Sequence, residues 1–191
     1  MNQSPFSMGT IVLGGGALLL MGFLFVGFLL PGTWEATRSL HIDSAPESIF
    51  PHLDSPTAWR GWTALPDTGL TMEGPPRGAG ASMSWHHPEW GTGSFEIVEA
   101  QSPTLVRYTV EVQEGTMRTD GVLELTRDEG GTLVTWTESG DFGWNPLMGY
   151  WGLFMGRAQG RELDKNLAGL AQLVGTAPQE EAPADSVSTG A

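Results

Sequence analysis

Residues 131–174 read GTLVTWTESGDFGWNPLMGYWGLFMGRAQGRELDKNLAGLAQLV, and a change of period inside this stretch decides the fold. Val134, Trp136 and Glu138 alternate with Thr135 and Thr137, the period of two of a half-buried strand. Asn145-Pro146 then supplies an N-cap followed by a proline at the first helical position. Leu147, Tyr150, Trp151 and Phe154 share one helical face, and Leu163, Leu167, Leu170 and Val174 follow at spacings of 4, 3 and 4. Arg161 and Lys165 leave the other face wet. Gly156 and Gly160 predict a kink or break between the two halves, and Gly175 a stop.

Upstream, the period of two recurs. Met83 and Trp85 alternate with Ser82, Ser84 and His86, and Phe95 and Ile97 with Ser94 and Glu96. Val106, Tyr108, Val110 and Val112 alternate with Arg107, Thr109 and Glu111, and Leu123 and Leu125 with Glu124 and Thr126. Turn signals separate these runs at 89–93, 101–103, 114–115 and 129–131, as antiparallel neighbours require. Residues 33–43 read as an opening strand. Ser44 and Glu47 have capping-box spacing ahead of a short helix carrying Ile49, Phe50 and Leu53. Ser55-Pro56 opens a second short helix with Trp59 and Trp62, and the Gly- and Pro-rich stretch 64–80 reads as a loop. The fold class is therefore α+β. One apolar sheet face needs a cover, and the terminal helix is the element large enough to provide it.

The chain of 191 residues carries a net charge of −13, which argues against nucleic acid as a partner, because phosphate binding needs a basic patch. Cysteine is absent, so thiol chemistry and disulfides are excluded. All charged side chains lie after residue 34. Ile11–Leu30 is an unbroken apolar run of 20 residues. At about 1.5 Å per residue such a run matches the roughly 30 Å hydrocarbon core of a bilayer. Residues 11–32 are therefore expected to form a single-pass anchor, with Trp34 at the position of an interfacial aromatic. A cleaved signal peptide fits less well: MNQSPFSMGT has no basic residue, and no small-x-small cleavage site follows the run. The expected organisation is an N-terminal flank over 1–10, the transmembrane helix over 11–32, one domain over 33–175, and a disordered acidic tail over 176–191. The soluble domain is expected on the extracytoplasmic side.

Trp62, Trp85, Tyr108, Trp136, Trp151 and Phe154 are the candidates for lining a cavity between sheet and helix; filling the core is the alternative for each. Glu138 shares parity with Trp136 and is the candidate acid or base, with a solvated strand end as its alternative. His86 and His87 are adjacent on one strand, so they point to opposite faces and do not form a metal pair. No metal site and no cofactor is expected. No Ser-His-Asp arrangement or phosphate-cradling loop is evident.

The segments RSLHIDSAPESIF (38–50), DSPTAWRGW (54–62), GASMSW (80–85), GTLVTWTESGD (131–141) and ELDKNLAGLAQL (162–173) resemble the SRPBCC (START/Bet v 1-like) superfamily, near its polyketide cyclase/dehydrase branch. The resemblance covers about residues 34–175. It implies a helix-grip fold, in which a curved antiparallel sheet wraps a long C-terminal helix around an apolar pocket. It does not choose among the functions that fold carries. A membrane-anchored protein holding a hydrophobic small molecule or lipid is the favoured expectation. A cyclase- or dehydrase-like enzyme is the second, and a protein-interaction module with a filled core the third.

Overall fold

The computed structural model describes residues 8–176 except 114, 116 and 144. Its elements are α1 (Met8–Leu29), β1 (Thr33–Ile42), α2 (Pro46–Ile49), a 3-10 turn (Phe50–His52), α3 (Pro56–Trp59), β2 (Leu70–Glu73), β3 (Ser82–His87), β4 (Gly91–Gln101), β5 (Leu105–Val112), β6 (Met117–Asp128), β7 (Gly131–Asp141) and α4 (Pro146–Thr176). All seven strands join one antiparallel sheet in the order β1-β7-β6-β5-β4-β3-β2. Each neighbouring pair from β3 to β7 is a hairpin, as the turn signals require, and β1 closes the far side against β7.

The alternation read from the sequence sets which face is buried. Ala36, Ile42, Val134, Trp136, Glu138, Leu123, Leu125, Val106, Tyr108, Phe95, Ile97, Met83 and Trp85 all lie on the buried side. A register shift between Ile97 and Glu99 turns Val98 outward and brings Ala100 opposite inward-facing Val106. The C-terminal half of α4 covers this face through Leu163, Leu167, Leu170 and Val174, each at most 6% exposed. Burial of such a side chain contributes about 1.5–3 kcal/mol.

Several expectations need correction. The helix α4 runs unbroken through Gly156 and Gly160. These glycines lie on the same face as the leucine stripe, and a Cβ there would meet the β1 side of the molecule: the Glu35 carbonyl oxygen at 2.8 Å from position 156 and the Arg38 guanidinium at 2.2 Å from position 160. Close packing against β1, on its backbone at Gly156 and on the Arg38 side chain at Gly160, thus offsets the low helix propensity of glycine. The Ser44/Glu47 capping box does not form: Ala45 is the N-cap of α2 and makes no side-chain cap. The stretch 64–80, expected to be a loop throughout, contains the edge strand β2, which pairs with β3 from Leu70↔Trp85 to Glu73↔Ser82. Its side chains are mostly exposed, so no alternation of polarity announces it. Trp34 is 6% exposed, with its indole laid over Gly140, and is not free to sit at a membrane interface. The helix α1 begins at Met8, three residues before the expected start. Residues 1–7 of the expected flank, and the expected tail beyond Thr176, lie outside the described residues.

Candidate functional site

The centre of the sheet–helix gap is aromatic. Trp59 of α3 sits within 4.6–5.6 Å, ring centre to ring centre, of Trp62, Phe95, Tyr108 and Trp136. Trp62 also meets Trp136 edge-on at 5.4 Å. Such tilted and edge-on contacts suit the ring quadrupoles. Their polar handles are satisfied by backbone: Trp59 Nε1 donates to the Leu53 carbonyl at 2.7 Å and Trp62 Nε1 to the His52 carbonyl at 3.0 Å. The structure therefore brings Trp62, Tyr108 and Trp136 together. Sequence reasoning misses Trp59 as a member of this wall, although its spacing of three from Trp62, which follows in the turn after α3 rather than in the helix, is the available signal.

Trp85 is buried elsewhere, against Gly93, and its indole N–H has no hydrogen-bond partner among the described residues. Trp151 and Phe154 lie outside the aromatic group altogether. They project from the N-terminal half of α4 and are 55% and 64% exposed. His86 is exposed, and His87 Nδ1 accepts from the Glu89 and Trp90 backbone N–H groups of the following turn.

A polar cluster is set into this aromatic wall. Glu138 is 6% exposed. The Tyr108 hydroxyl donates to Glu138 Oε1, Gln159 Nε2 of α4 donates to Oε2 at 2.5 Å, and Trp136 Nε1 donates to the Tyr108 oxygen at 2.9 Å. Strand register builds the cluster. Glu138, Gly121 and Tyr108 are direct cross-strand neighbours on β7, β6 and β5. With no side chain at position 121, the phenol crosses it to reach the carboxylate. The same row carries Ala36 beside Glu138 and Ile97 beside Tyr108.

Among the described residues no cation pairs with Glu138: its hydrogen-bond partners are the neutral Tyr108 and Gln159. Burial pushes its carboxyl above the ordinary glutamate value, while the bonds from Tyr108 and Gln159 pull partly back. Burial, then the Glu138 charge and its hydrogen bond, push the Tyr108 hydroxyl well above the ordinary tyrosine value, so it is the proton donor of the pair. Such a carboxyl keeps its proton to higher pH than an exposed glutamate does, and can hydrogen-bond a carbonyl or hydroxyl or exchange a proton with it.

A curved antiparallel sheet closed by a long C-terminal helix over a buried aromatic and carboxyl cluster defines a helix-grip protein of the SRPBCC type. Residues 33–175 match the family described as polyketide cyclase / dehydrase and lipid transport, and the chain belongs to that family. No curated protein matches the chain. Among solved structures, it is similar to protein MLL2253 from Mesorhizobium loti, with 16% identity and a TM-score of 0.54 over 75% of this chain and 98% of that one. A Rhodobacter sphaeroides protein gives 20% identity and 0.51 over 75% and 93%. The di-domain ARO/CYC protein BexL from the BE-7585A biosynthetic pathway gives 12% identity and 0.55 over 77% of this chain and 52% of its own length. At these identities the likeness is one of fold.

Proposed function

We propose that the protein is a membrane-anchored binder of one apolar small molecule or lipid. The ligand sits against the Trp59–Trp62–Trp136 wall and presents a hydroxyl or carbonyl to Glu138 and Tyr108. The observation that carries this reading is the Glu138 carboxyl, buried among aromatics with neutral partners alone. A buried carboxyl without a counter-charge is costly to fold even when hydrogen-bonded, and a group retained at that cost is a candidate for function. Apolar walls with a few convergent polar groups are what a small-molecule site offers.

The anchor is α1. Val12–Leu29 has a mean hydropathy of 2.3 and only 6% of its residues are buried, which supports an anchor over a core helix covered by the domain. Its last turns nevertheless pack on α4, where Phe23 and Tyr150 stack at 4.4 Å. That contact favours a retained helix over a leader that is removed. An extracytoplasmic domain remains part of this reading, resting on the translocation of an acidic domain behind an N-terminal span.

The test is native mass spectrometry of the full chain released from detergent micelles. An apolar adduct at one per chain is expected, weakened by Trp136→Ala and by Tyr108→Phe. A folded chain that carries none, and takes up none when offered a lipid mixture, would overturn the reading and leave an interaction module with a filled core. The second reading, a cyclase- or dehydrase-like enzyme, is favoured by the raised Glu138 carboxyl, which suits a general acid. Glu138→Gln separates the two: a binder keeps its adduct, whereas an enzyme keeps the adduct and loses its conversion.

A further inference from the structure

The first turns of α4 are apolar on the side that faces away from the domain. Between Asp141 and Arg157 no side chain is charged. Leu147, Trp151 and Phe154, at i, i+4 and i+7, are 55%, 55% and 64% exposed, and Met148 and Leu153 beside them 38% and 51%. A surface of this size in a water-exposed position calls for an occupant.

Two further observations say which. The first is continuity with α1. The backbone of α4 starts against Gly27, where a Cβ would lie 2.2 Å from the Pro146 carbonyl oxygen, and Gly149 meets the Gly27 carbonyl and Leu30. The Tyr150 ring stacks on Phe23, six residues before the end of α1 at Leu29. At 1.5 Å per residue that is about 9 Å inside the helix end. A bilayer that holds α1 therefore reaches the start of α4 as well.

The second is the treatment of polar groups at this end. In hydrocarbon every backbone donor must be satisfied within the protein. Pro146 has no N–H, Leu147 N donates to Asn145 Oδ1 at 3.0 Å, and Met148 N and Gly149 N donate to the Asn145 carbonyl at 2.9 and 3.3 Å. The first-turn donors of α4 are thus all provided for without water. The Tyr150 hydroxyl donates to the Phe23 carbonyl of α1 at 2.7 Å, so it too needs no water. The first charged side chains beyond the apolar turns are Arg157 and then Arg161, both exposed and neither in an ion pair among the described residues. In a chain of net charge −13, two guanidinium groups placed there suit lipid phosphates.

We infer that Pro146–Met155 enters the same leaflet as the end of α1. Leu147 and Met148 lie among the acyl chains, Trp151 and Phe154 at the headgroup boundary, and Arg157 and Arg161 among the phosphates. This rests on the anchor reading of α1. The domain is then held by two helices and cannot swing freely on its anchor. Gln159, which reaches Glu138, follows Phe154 by five residues, about 7.5 Å of helix rise, so the buried cluster stands just above the lipid.

The absence of native cysteine allows the test. Leu20→Cys, Leu147→Cys, Phe154→Cys and Glu124→Cys are each labelled with an environment-sensitive dye in the full chain, folded in phosphatidylcholine/phosphatidylglycerol vesicles. Quenching by aqueous iodide and by brominated acyl chains is then read. Leu20 in the middle of α1 should be quenched by bromolipid alone and Glu124 by iodide alone. The inference expects Leu147 to match Leu20, and Phe154 to lose most iodide quenching and gain quenching from bromine placed near the headgroup. Leu20 in lipid with Leu147 or Phe154 open to iodide would overturn this inference and leave the anchor standing. Labels at 147 and 154 shielded from both quenchers would mean a protein cover, such as a second copy, and would also overturn it. Leu20 open to iodide would remove the anchor reading itself, and this inference with it.

Discussion

The Tyr108 phenol reaches Glu138 by lying across Gly121, the residue that separates them in the sheet. A Cβ at position 121 would stand 2.1 Å from Tyr108 Cζ. The same device recurs where Trp85 covers its partner Gly93 and where Trp34 covers Gly140. In each case a cross-strand glycine gives up its side chain so that a large ring can lie flat on the sheet.

Gly121→Ala should therefore cost about 1–3 kcal/mol, as overpacking of a filled core does. Its distinctive signature is loss of the Tyr108–Glu138 bond. Tyr108→Phe alone should cost about 1–3 kcal/mol, because the Trp136 N–H and a Glu138 oxygen lose their partner. In the Gly121→Ala background the same change should cost clearly less. Denaturant melts of the full chain in detergent close this double-mutant cycle. Strictly additive costs would mean the phenol keeps its place over an alanine.

The raised Glu138 carboxyl has a signed consequence for stability. Between the ordinary glutamate value and its folded value, the folded state binds more proton than the unfolded state, so stability falls as pH rises through that window. The contribution is fully present below the ordinary value and lost above the folded one. Glu138→Gln removes the titration and keeps the shape. The variant should gain on the wild type as pH rises from about 4.5, with the difference levelling off above the folded value. Gln159→Leu removes a bond that lowers the carboxyl's value and should move that levelling point to higher pH. Parallel melting curves of wild type and Glu138→Gln at every pH would contradict a raised carboxyl.

Much of this was legible in the chain. Alternation fixed the buried face of β3 to β7, and with it the inward direction of Trp136 and Glu138, because a strand has only two faces. The stripe Leu163–Val174 identified the covering helix. What alternation cannot supply is register, and the cluster is a matter of register: nothing local to Tyr108 or Glu138 says that Gly121 lies between them. The exposure of Trp151 and Phe154 was hidden for a related reason. Their helical spacing is that of a buried stripe, and the face that packs is marked instead by glycines. The strand β2 was hidden because its side chains are mostly exposed.

The leucine stripe gives a direct check on the helix cover. Leu167 is 1% exposed, and Leu167→Asp would bury a carboxylate with no partner, a change costing several kcal/mol. Asn166→Asp, one position off the stripe and partly exposed, should stay within about 0.5 kcal/mol of the wild type. Equal melting temperatures for the two variants would mean that α4 does not cover the sheet as described.

The glycine face of α4 makes the last prediction, because it reverses the usual effect of replacing glycine in a helix. In an open helical position Gly→Ala stabilises by up to about 1 kcal/mol through helix propensity. Gly175, with nothing within 4 Å of an added methyl, should show a gain of the same sign, reduced by fraying because it is the penultimate residue of α4. Gly156 should not, because its added methyl would meet the Glu35 carbonyl oxygen of β1 at 2.8 Å. Backbone on the far side cannot move aside as a flexible side chain does, so α4 must shift outward and loosen its seat on β1. The Arg38–Asp164 ion pair, at 3.1 Å, tracks the same seam and should lengthen with it. Gly156→Ala is therefore expected to lower stability by about 1–3 kcal/mol while leaving helix content unchanged. Circular dichroism melts of the two alanine variants in the same detergent provide the comparison. A stabilising effect at both positions would show that α4 stands off from β1, and that its unbroken course through Gly156 and Gly160 needs another cause.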